Sequence, residues 1–348
     1  MLERLFQLKA HNTTVRTEVL AGITTFLTMA YILFVNPNML AETGMDHGAV
    51  FVATCLAAAI GSLVMGLLAN YPIALAPGMG LNAFFTYTVV MTMGYSWQTA
   101  LGAVFLSGAI FFLLSIFKIR EWIINSIPLA LRAGIAAGIG LFLAIIALKN
   151  AGIVVDHPAT LVGLGDMSKG GALLACLGFF VIAALAYRKV TGAVMIGILL
   201  VTGLSIALGL SELPGVISMP PSLMPTLLQL DIAGALDIGL ISVIFAFLFV
   251  DLFDTSGTLV GVAQKADLLD KDGKMPRLGR ALLADSTATM AGAALGTSTT
   301  TSYIESAAGT AAGGRTGLTA CVVALLFLLS LFFAPLAGSV PAYATAPA

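Results

Sequence analysis

Apolar stretches of about 20 residues recur from one end of this chain to the other, and that recurrence leaves few folds open to it. A helix rising 1.5 Å per residue needs about that length to cross about 30 Å of hydrocarbon. Hydrophobic residues fill 59% of the 348 positions and charged residues 9%, against roughly 45–50% and 25% in soluble domains. Water is therefore not the main solvent, and one polytopic membrane domain of helices embedded in the lipid bilayer follows.

Net charge is −1, so no basic field invites nucleic acid, and the lysines and arginines read as topology signals. Cys55, Cys176 and Cys321 fall inside apolar stretches as small hydrophobes, with no disulfide expected. His11, His47 and His157 lie in loops without a Cys or His neighbour at ligand spacing, so no metal site is expected. The opening MLERLFQLKAHNTTVRTE is amphipathic and charged and lacks the apolar core of a signal peptide, which predicts a cytoplasmic surface helix.

Hydropathy predicts spans near 17–39, 49–69, 97–117, 129–152, 170–187, 192–211, 236–258 and 316–336. Three further stretches bring the total to eleven crossings. Residues 73–93 open with IALAPGMGLNAFF, whose Pro77, Gly78 and Gly80 break a helix near mid-membrane. Residues 279–296 form a Gly/Ala-rich helix carrying Asp285, and 297–313 open with TSTTTSYIES, a β-branched polar run that reads as extended up to about Ser302. Of the 16 lysines and arginines, only Lys149 and Lys169 then fall in loops on the side opposite the N-terminus, which puts the N-terminus on the cytoplasmic side of a bacterial-type inner membrane.

Each broken segment sits third in a series of seven, and the odd number sets the two series in opposite orientation. Inverted repeats of this kind bring interrupted helices together at the bilayer midplane around a solute site. The plain alternative is that Gly and Pro simply occur in ordinary spans, but the unpaired hydroxyls of 297–302 would be costly against lipid.

Asp251 and Asp254 close the apolar run LISVIFAFLFVDLFDTSGTL, sharing a helix face with Thr255 and Thr258. Ionisable groups there read as a solute or proton pathway, or else as a pair solvated at the interface. Glu305 stands just past the second break, and Asn82 holds the corresponding place past the first. Half-helix N-termini pointing to the membrane centre favour an ionised carboxylate while burial favours a neutral one, which suits a group that loads and releases a proton. A helix-capping Glu305 is the structural alternative. Asp285 could support Glu305, bind a proton itself, or be a buried structural acid. Arg315 reads as an end anchor, and Gly134, Gly138 and Gly140 as a close-packing helix face.

Two pattern matches carry no weight. GMGLNA (78–83) fits a dinucleotide fingerprint but lies in a membrane segment without a βαβ unit. GLGD (163–166) resembles a string of intramembrane aspartyl proteases, yet falls in an external loop without a partner motif, so no enzyme is expected.

TVRTEVLAGITTFLTMAYILFVNP, APGMGLNAFF, DLFDTSGTLVGVA and TSYIESAAGTAAGGRTGLTA together resemble the AzgA-like branch of the nucleobase:cation symporter-2 family, purine permeases for adenine, guanine and hypoxanthine. The resemblance runs over essentially the whole chain. It implies an all-α fold with an inverted 7+7 repeat, core and gate domains, and two broken helices preceded by short strands. On that plan 1–16 is a cytoplasmic N-terminal segment, 17–117 and 236–336 are the two core halves, 118–211 is the first gate half, 212–235 is an external loop, and 337–348 begins a second gate half that stops incomplete at Ala348.

The resemblance also implies proton symport of a purine nucleobase, with no cofactor beyond the coupling proton. It places substrate binding on Asn82, Phe84, Asp251, Asp254, Thr255 and Glu305, and proton coupling on Glu305, Asp285 and Asp254. Carboxylates accept from ring N–H and amine groups, and Phe84 would cover a base face or merely pack. Relatives often pair in the bilayer, so a homodimer is a further expectation. The alternatives are an anion transporter of the same architecture and a truncated, non-transporting purine-binding remnant.

Overall fold

Helix-starting residues mark out the elements before any packing is considered. In the computed structural model, which describes residues 2–117, 129–271 and 275–348, Thr14 accepts from the Thr17 N–H to open α1 (Val15–Met29), Asp46 from Ala49 to open α3 (His47–Val64), and Ser96 from Thr99 to open α5 (Trp97–Ile116). Between α1 and α3, α2 (Ile32–Ala41) carries Pro37 and continues the first span after an interruption at Ala30 and Tyr31. The first break consists of β1 (Leu75–Pro77) and α4 (Met79–Ala83), which runs on as a π-helix over Phe84–Thr92.

Next come α6 (Leu129–Asn150), a hairpin of β2 (Val154–His157) and β3 (Leu161–Leu164), α7 (Gly170–Tyr187) and α8 (Ala193–Ala207). The second half holds α9 (Ile238–Lys265), α10 (Leu278–Leu295), β4 (Thr300–Ser302), α11 (Ser306–Ala311) and α12 (Gly317–Ser330). Among the described residues six helical stretches are long and apolar enough to cross a membrane, the outermost being Val15–Ala41 and Gly317–Gly338. Lys118, Arg120, Lys274 and the side chain of Arg132, used above to orient the chain, lie outside the described residues, as does the stretch 118–128 that opens the expected gate.

The two breaks meet. β1 and β4 pair antiparallel, Leu75 opposite Ser302, Ala76 opposite Thr301 and Pro77 opposite Thr300. The Gly78 N–H to Thr299 O and Tyr303 N–H to Ala74 O bonds, each 2.9 Å, prolong the ladder. This pairing explains how so polar a stretch survives at membrane depth: each residue from Thr297 to Ser302 is at most 2% exposed, and the extended backbone finds its partners in the other break instead of in lipid. The approach to β4 needs Gly296, where α10 ends at φ +98°, a conformation that favours a residue without Cβ.

Helix packing is reciprocal between the halves. α3 packs on α10 at the centre, α1 on α12 and α9 on α5; the half-helix α11 lies on α1, and α4 touches α9. Opposite orientation of two like units requires this exchange of partners. Where α12 begins, Gly317 lies so close to the π-helical end of α3 that an added Cβ would stand 1.9 Å from the Gly66 carbonyl oxygen. Small residues at helix crossings do what the sequence suggested, but elsewhere: a Cβ at Gly134, Gly138 or Gly140 would meet nothing within 4 Å, so no described neighbour needs those positions to lack a side chain. The predicted N-terminal surface helix is a single short turn, Leu2–Phe6, with Phe6 and Leu8 buried against Leu318.

Candidate functional site

Where the strand pair ends, α9 and α6 close a cavity of about 290 Å³ over it. That is the lower end of ligand-pocket sizes and suits a small planar solute. Gly78 and Met79 of the first break, Thr301 to Glu305 of the second, Tyr31, Ile139, Leu143, Asp254 and Thr258 supply its wall. Both breaks, the first span and the ninth helix therefore each contribute to one space.

Glu305 precedes α11 as its N-cap residue but makes no side-chain capping bond. Its carboxylate instead accepts the Tyr31 hydroxyl at 2.6 Å, a charge-assisted geometry when the acid is ionised. Tyr303, two residues before it, sends its own hydroxyl to the Pro77 carbonyl at 2.5 Å and so ties the two breaks together beside the cavity. Asp254 reaches the same wall from α9.

Asp251 does not share that outlook, which corrects the reading of one common face. Three residues correspond to about 300° of helix turn, and here the remaining offset turns Asp251 and Thr255 into the protein, both 0% exposed, while Asp254 and Thr258 face the cavity. Behind the wall, the Thr255 hydroxyl lies 2.9 Å from Asp285 Oδ2, 2.7 Å from Thr301 Oγ1 and 3.4 Å from Asp251 Oδ1. Ser302 donates to Asp285 Oδ1 at 2.8 Å. Thr289 donates to the Thr300 carbonyl at 2.9 Å and stands 3.3 Å from Asp251 Oδ2. Two buried acids thus hold strand β4 between α9 and α10. Asp285 supports Ser302 and not Glu305, as a helix of small residues lets α10 come close to the strand.

Asn82 and Glu305 are not in equivalent places. Asn82 is the fourth residue of α4, is 1% exposed and is absent from the cavity wall, although Gly78 and Met79 one turn before it form part of that wall. Its Nδ2 donates to Asn36 Oδ1 at 2.6 Å. Phe84 also stands aside: it meets Phe247 edge-on at 5.2 Å between ring centroids and lines a neighbouring depression of about 250 Å³ with Leu81, Phe142 and Val250. The two spaces share Gly80, Leu81, Ile139 and Val250 as a common wall.

Four further polar residues support the site or its frame without standing among the candidates above. Tyr31 and Tyr303 had no signal beyond being aromatic in apolar surroundings. Asn36 and Glu18 did, since both are strongly polar groups inside the first span and the rule applied to Asp251 covers them equally. Glu18 is fully buried and accepts from the backbone N–H groups of Arg315, Thr316 and Thr319 and from the Thr319 hydroxyl. Arg315, expected as an end anchor, donates from Nη1 to the Thr310 and Gly314 carbonyls at 2.6 and 2.8 Å, closing the C-terminal end of α11.

Residues 16–348 match the model of the Permease family. The chain is 57% identical over 348 residues to the putative permease MJ0326 of Methanocaldococcus jannaschii, spanning all of this chain and 80% of that one. It is 54% identical over 348 residues to adenine permease AdeP of Escherichia coli, across 100% and 78% of the two chains. It is 48% identical over 359 residues to guanine/hypoxanthine permease PbuG of Bacillus subtilis, across 100% and 81%. Among solved structures, the transmembrane domain of a cyanobacterium bicarbonate transporter, BicA, superposes with a TM-score of 0.72 at 16% identity over 95% of this chain and 85% of that one. At that identity the likeness speaks to fold alone, and the fold is the inverted repeat of seven and seven segments.

Proposed function

The chain belongs to the nucleobase:cation symporter-2 family, in its AzgA-like branch, and on that premise we propose that it imports purine bases with protons by alternating access. It is a multi-pass membrane permease and not an enzyme. The observation that carries the reading is the cavity at the paired breaks, where the carboxylates of Asp254 and Glu305 share one wall. A purine presents ring N–H and, in adenine and guanine, amine donors on a flat edge, and acidic side chains are the acceptors that match them.

In this reading Glu305 and Asp254 take the polar edge of the base, and Phe84 covers a ring face when the solute extends into the neighbouring depression. Asn82, Asp251 and Thr255 complete the substrate set from behind the wall. Glu305, Asp254 and Asp285 carry the coupling proton, and no other cofactor takes part. The core halves, 17–117 and 236–336, shift against the gate that begins at 118, in a bacterial inner membrane with the N-terminus in the cytoplasm. Pairing of two copies in the bilayer belongs to the same proposal.

Anion transport, the reading that shares this architecture, fits less well. A bicarbonate-like anion would meet two carboxylates in the cavity, and like charges oppose its binding. Uptake of labelled hypoxanthine, adenine and bicarbonate by cells lacking their own purine permeases separates the two. Glu305→Gln should abolish concentrative purine uptake while leaving membrane insertion intact. Wild-type rates in that variant would remove Glu305 from the mechanism, and bicarbonate uptake without purine uptake would replace the reading altogether.

A further inference from the structure

A polar relay crosses the apolar interior at Asn36, a residue for which the transport cycle above has no use. From α2 its Nδ2 donates to Thr54 Oγ1 of α3 at 2.7 Å and to Thr297 Oγ1, just before β4, at 2.9 Å. Its Oδ1 accepts from Asn82 Nδ2 of the first break at 2.6 Å. All four side chains are buried, Asn36, Thr54 and Thr297 at 0% exposure and Asn82 at 1%. One amide therefore touches both breaks and a continuous helix at once.

The relay has a direction. Thr54 spends its hydroxyl proton on the Val50 carbonyl, 2.7 Å away, so toward Asn36 it accepts. That sets the Asn36 amide with nitrogen toward the hydroxyls and oxygen toward Asn82, and it turns the Asn82 nitrogen inward in response. Reversing both amides would leave both hydrogens of Asn82 and one of Asn36 without acceptors, and buried orphan N–H groups are rarer than orphan carbonyls. Asn82 Oδ1 is then the free end: it is buried and has no hydrogen-bond partner in the protein. An unpaired acceptor at such depth is costly and calls for an explanation.

We infer that Asn36 is a positioning residue: it locks the Asn82 amide so that only the carbonyl oxygen is presented, as an acceptor for an N–H of the transported base. This rests on the purine-permease reading and adds to it a sign, since an asparagine free to turn would offer donor and acceptor alike. Asn82 stands behind the cavity wall, one turn past Gly78 and Met79, so a base that parts the breaks during the transport cycle reaches the oxygen and supplies the missing donor, and a flat heterocycle whose matching ring position carries only a lone pair leaves the oxygen orphaned. Discrimination between such ligands is large because the unpaired buried group, rather than the lost bond, sets the cost.

The test uses the full chain, purified in detergent, with equilibrium binding of labelled hypoxanthine and adenine. Asn36→Ala should weaken binding of the preferred base about tenfold, the scale of one well-made hydrogen bond. Thr54→Val, which keeps the bulk and removes the hydroxyl that orients Asn36 together with its own bond to the Val50 carbonyl, should weaken it by a smaller factor in the same direction and guards against misfolding of the first variant. N-methylated bases distinguish positioning from general damage: the methyl position that the wild type penalises most should lose its extra penalty in both variants. Unchanged affinity in both, or an equal loss for every methylated and unmethylated base, overturns the inference while leaving the permease reading intact. A wild-type chain that binds no purine overturns the reading and, with it, the inference.

Discussion

Glu18→Gln tests how the second break is held in place, because the substitution keeps the shape of the side chain and changes only its charge and one atom. Glu18 Oε1 accepts from the Arg315 N–H at 2.9 Å, and Oε2 accepts from the N–H groups of Thr316 and Thr319 at 3.2 and 3.3 Å and from the Thr319 hydroxyl at 2.6 Å. Glutamine has one oxygen, and its better placement is on the side with three donors. The new amide nitrogen then faces the Arg315 N–H, donor against donor, so that bond is lost. A hydrogen bond to a charged group is worth about 1.5–3 kcal/mol. Removing a negative charge from the N-terminus of α12, a helix of 14 residues, adds about 0.3–2 kcal/mol. The sum is a loss of about 2–5 kcal/mol, which for a chain of this size lowers the melting midpoint by roughly 3–7 °C. Thermal denaturation in detergent, followed by size-exclusion fluorescence, reads it directly. An unchanged midpoint would refute the claim that this carboxylate clamps the link between α11 and α12.

Two further outcomes follow from the same geometry. Tyr31→Phe deletes the hydroxyl 2.6 Å from Glu305, and at about 1.5–3 kcal/mol for a charge-assisted bond purine uptake should fall in kcat/KM by about tenfold or more with expression unchanged; kinetics equal to wild type would detach Tyr31 from the site. Gly317→Ala forces a methyl against the Gly66 carbonyl, where the built Cβ stands 1.9 Å from the oxygen, and should cost about 1–3 kcal/mol or more as α12 and α3 separate; a melting midpoint at or above wild type would show that the two helices tolerate the added carbon.

Much of this molecule is legible without coordinates, for a physical reason. In a bilayer the length and hydropathy of a segment determine whether it spans, and the cost of unpaired polar backbone determines that it spans as a helix. The spans, the two breaks and their opposite orientation therefore follow from residue order alone, as does the importance of TSTTTS, since six such residues at membrane depth must be kept out of lipid. What residue order could not supply is direction around a helix axis and proximity across the fold. Asp251 and Asp254 look alike in DLFDT, yet one turns into a buried network with Thr255 and Asp285 and the other opens on the cavity. Asn82 and Glu305 look like counterparts, yet only Glu305 reaches that wall, and its partner Tyr31 comes from 274 positions away. The small-residue contacts fall at Gly66 and Gly317 and not at the regular triplet in α6, because a glycine permits close approach but only the opposing helix determines where it happens. Local sequence sets the elements through solvation; the pairing of two inverted units, which no single segment encodes, sets which polar atoms meet.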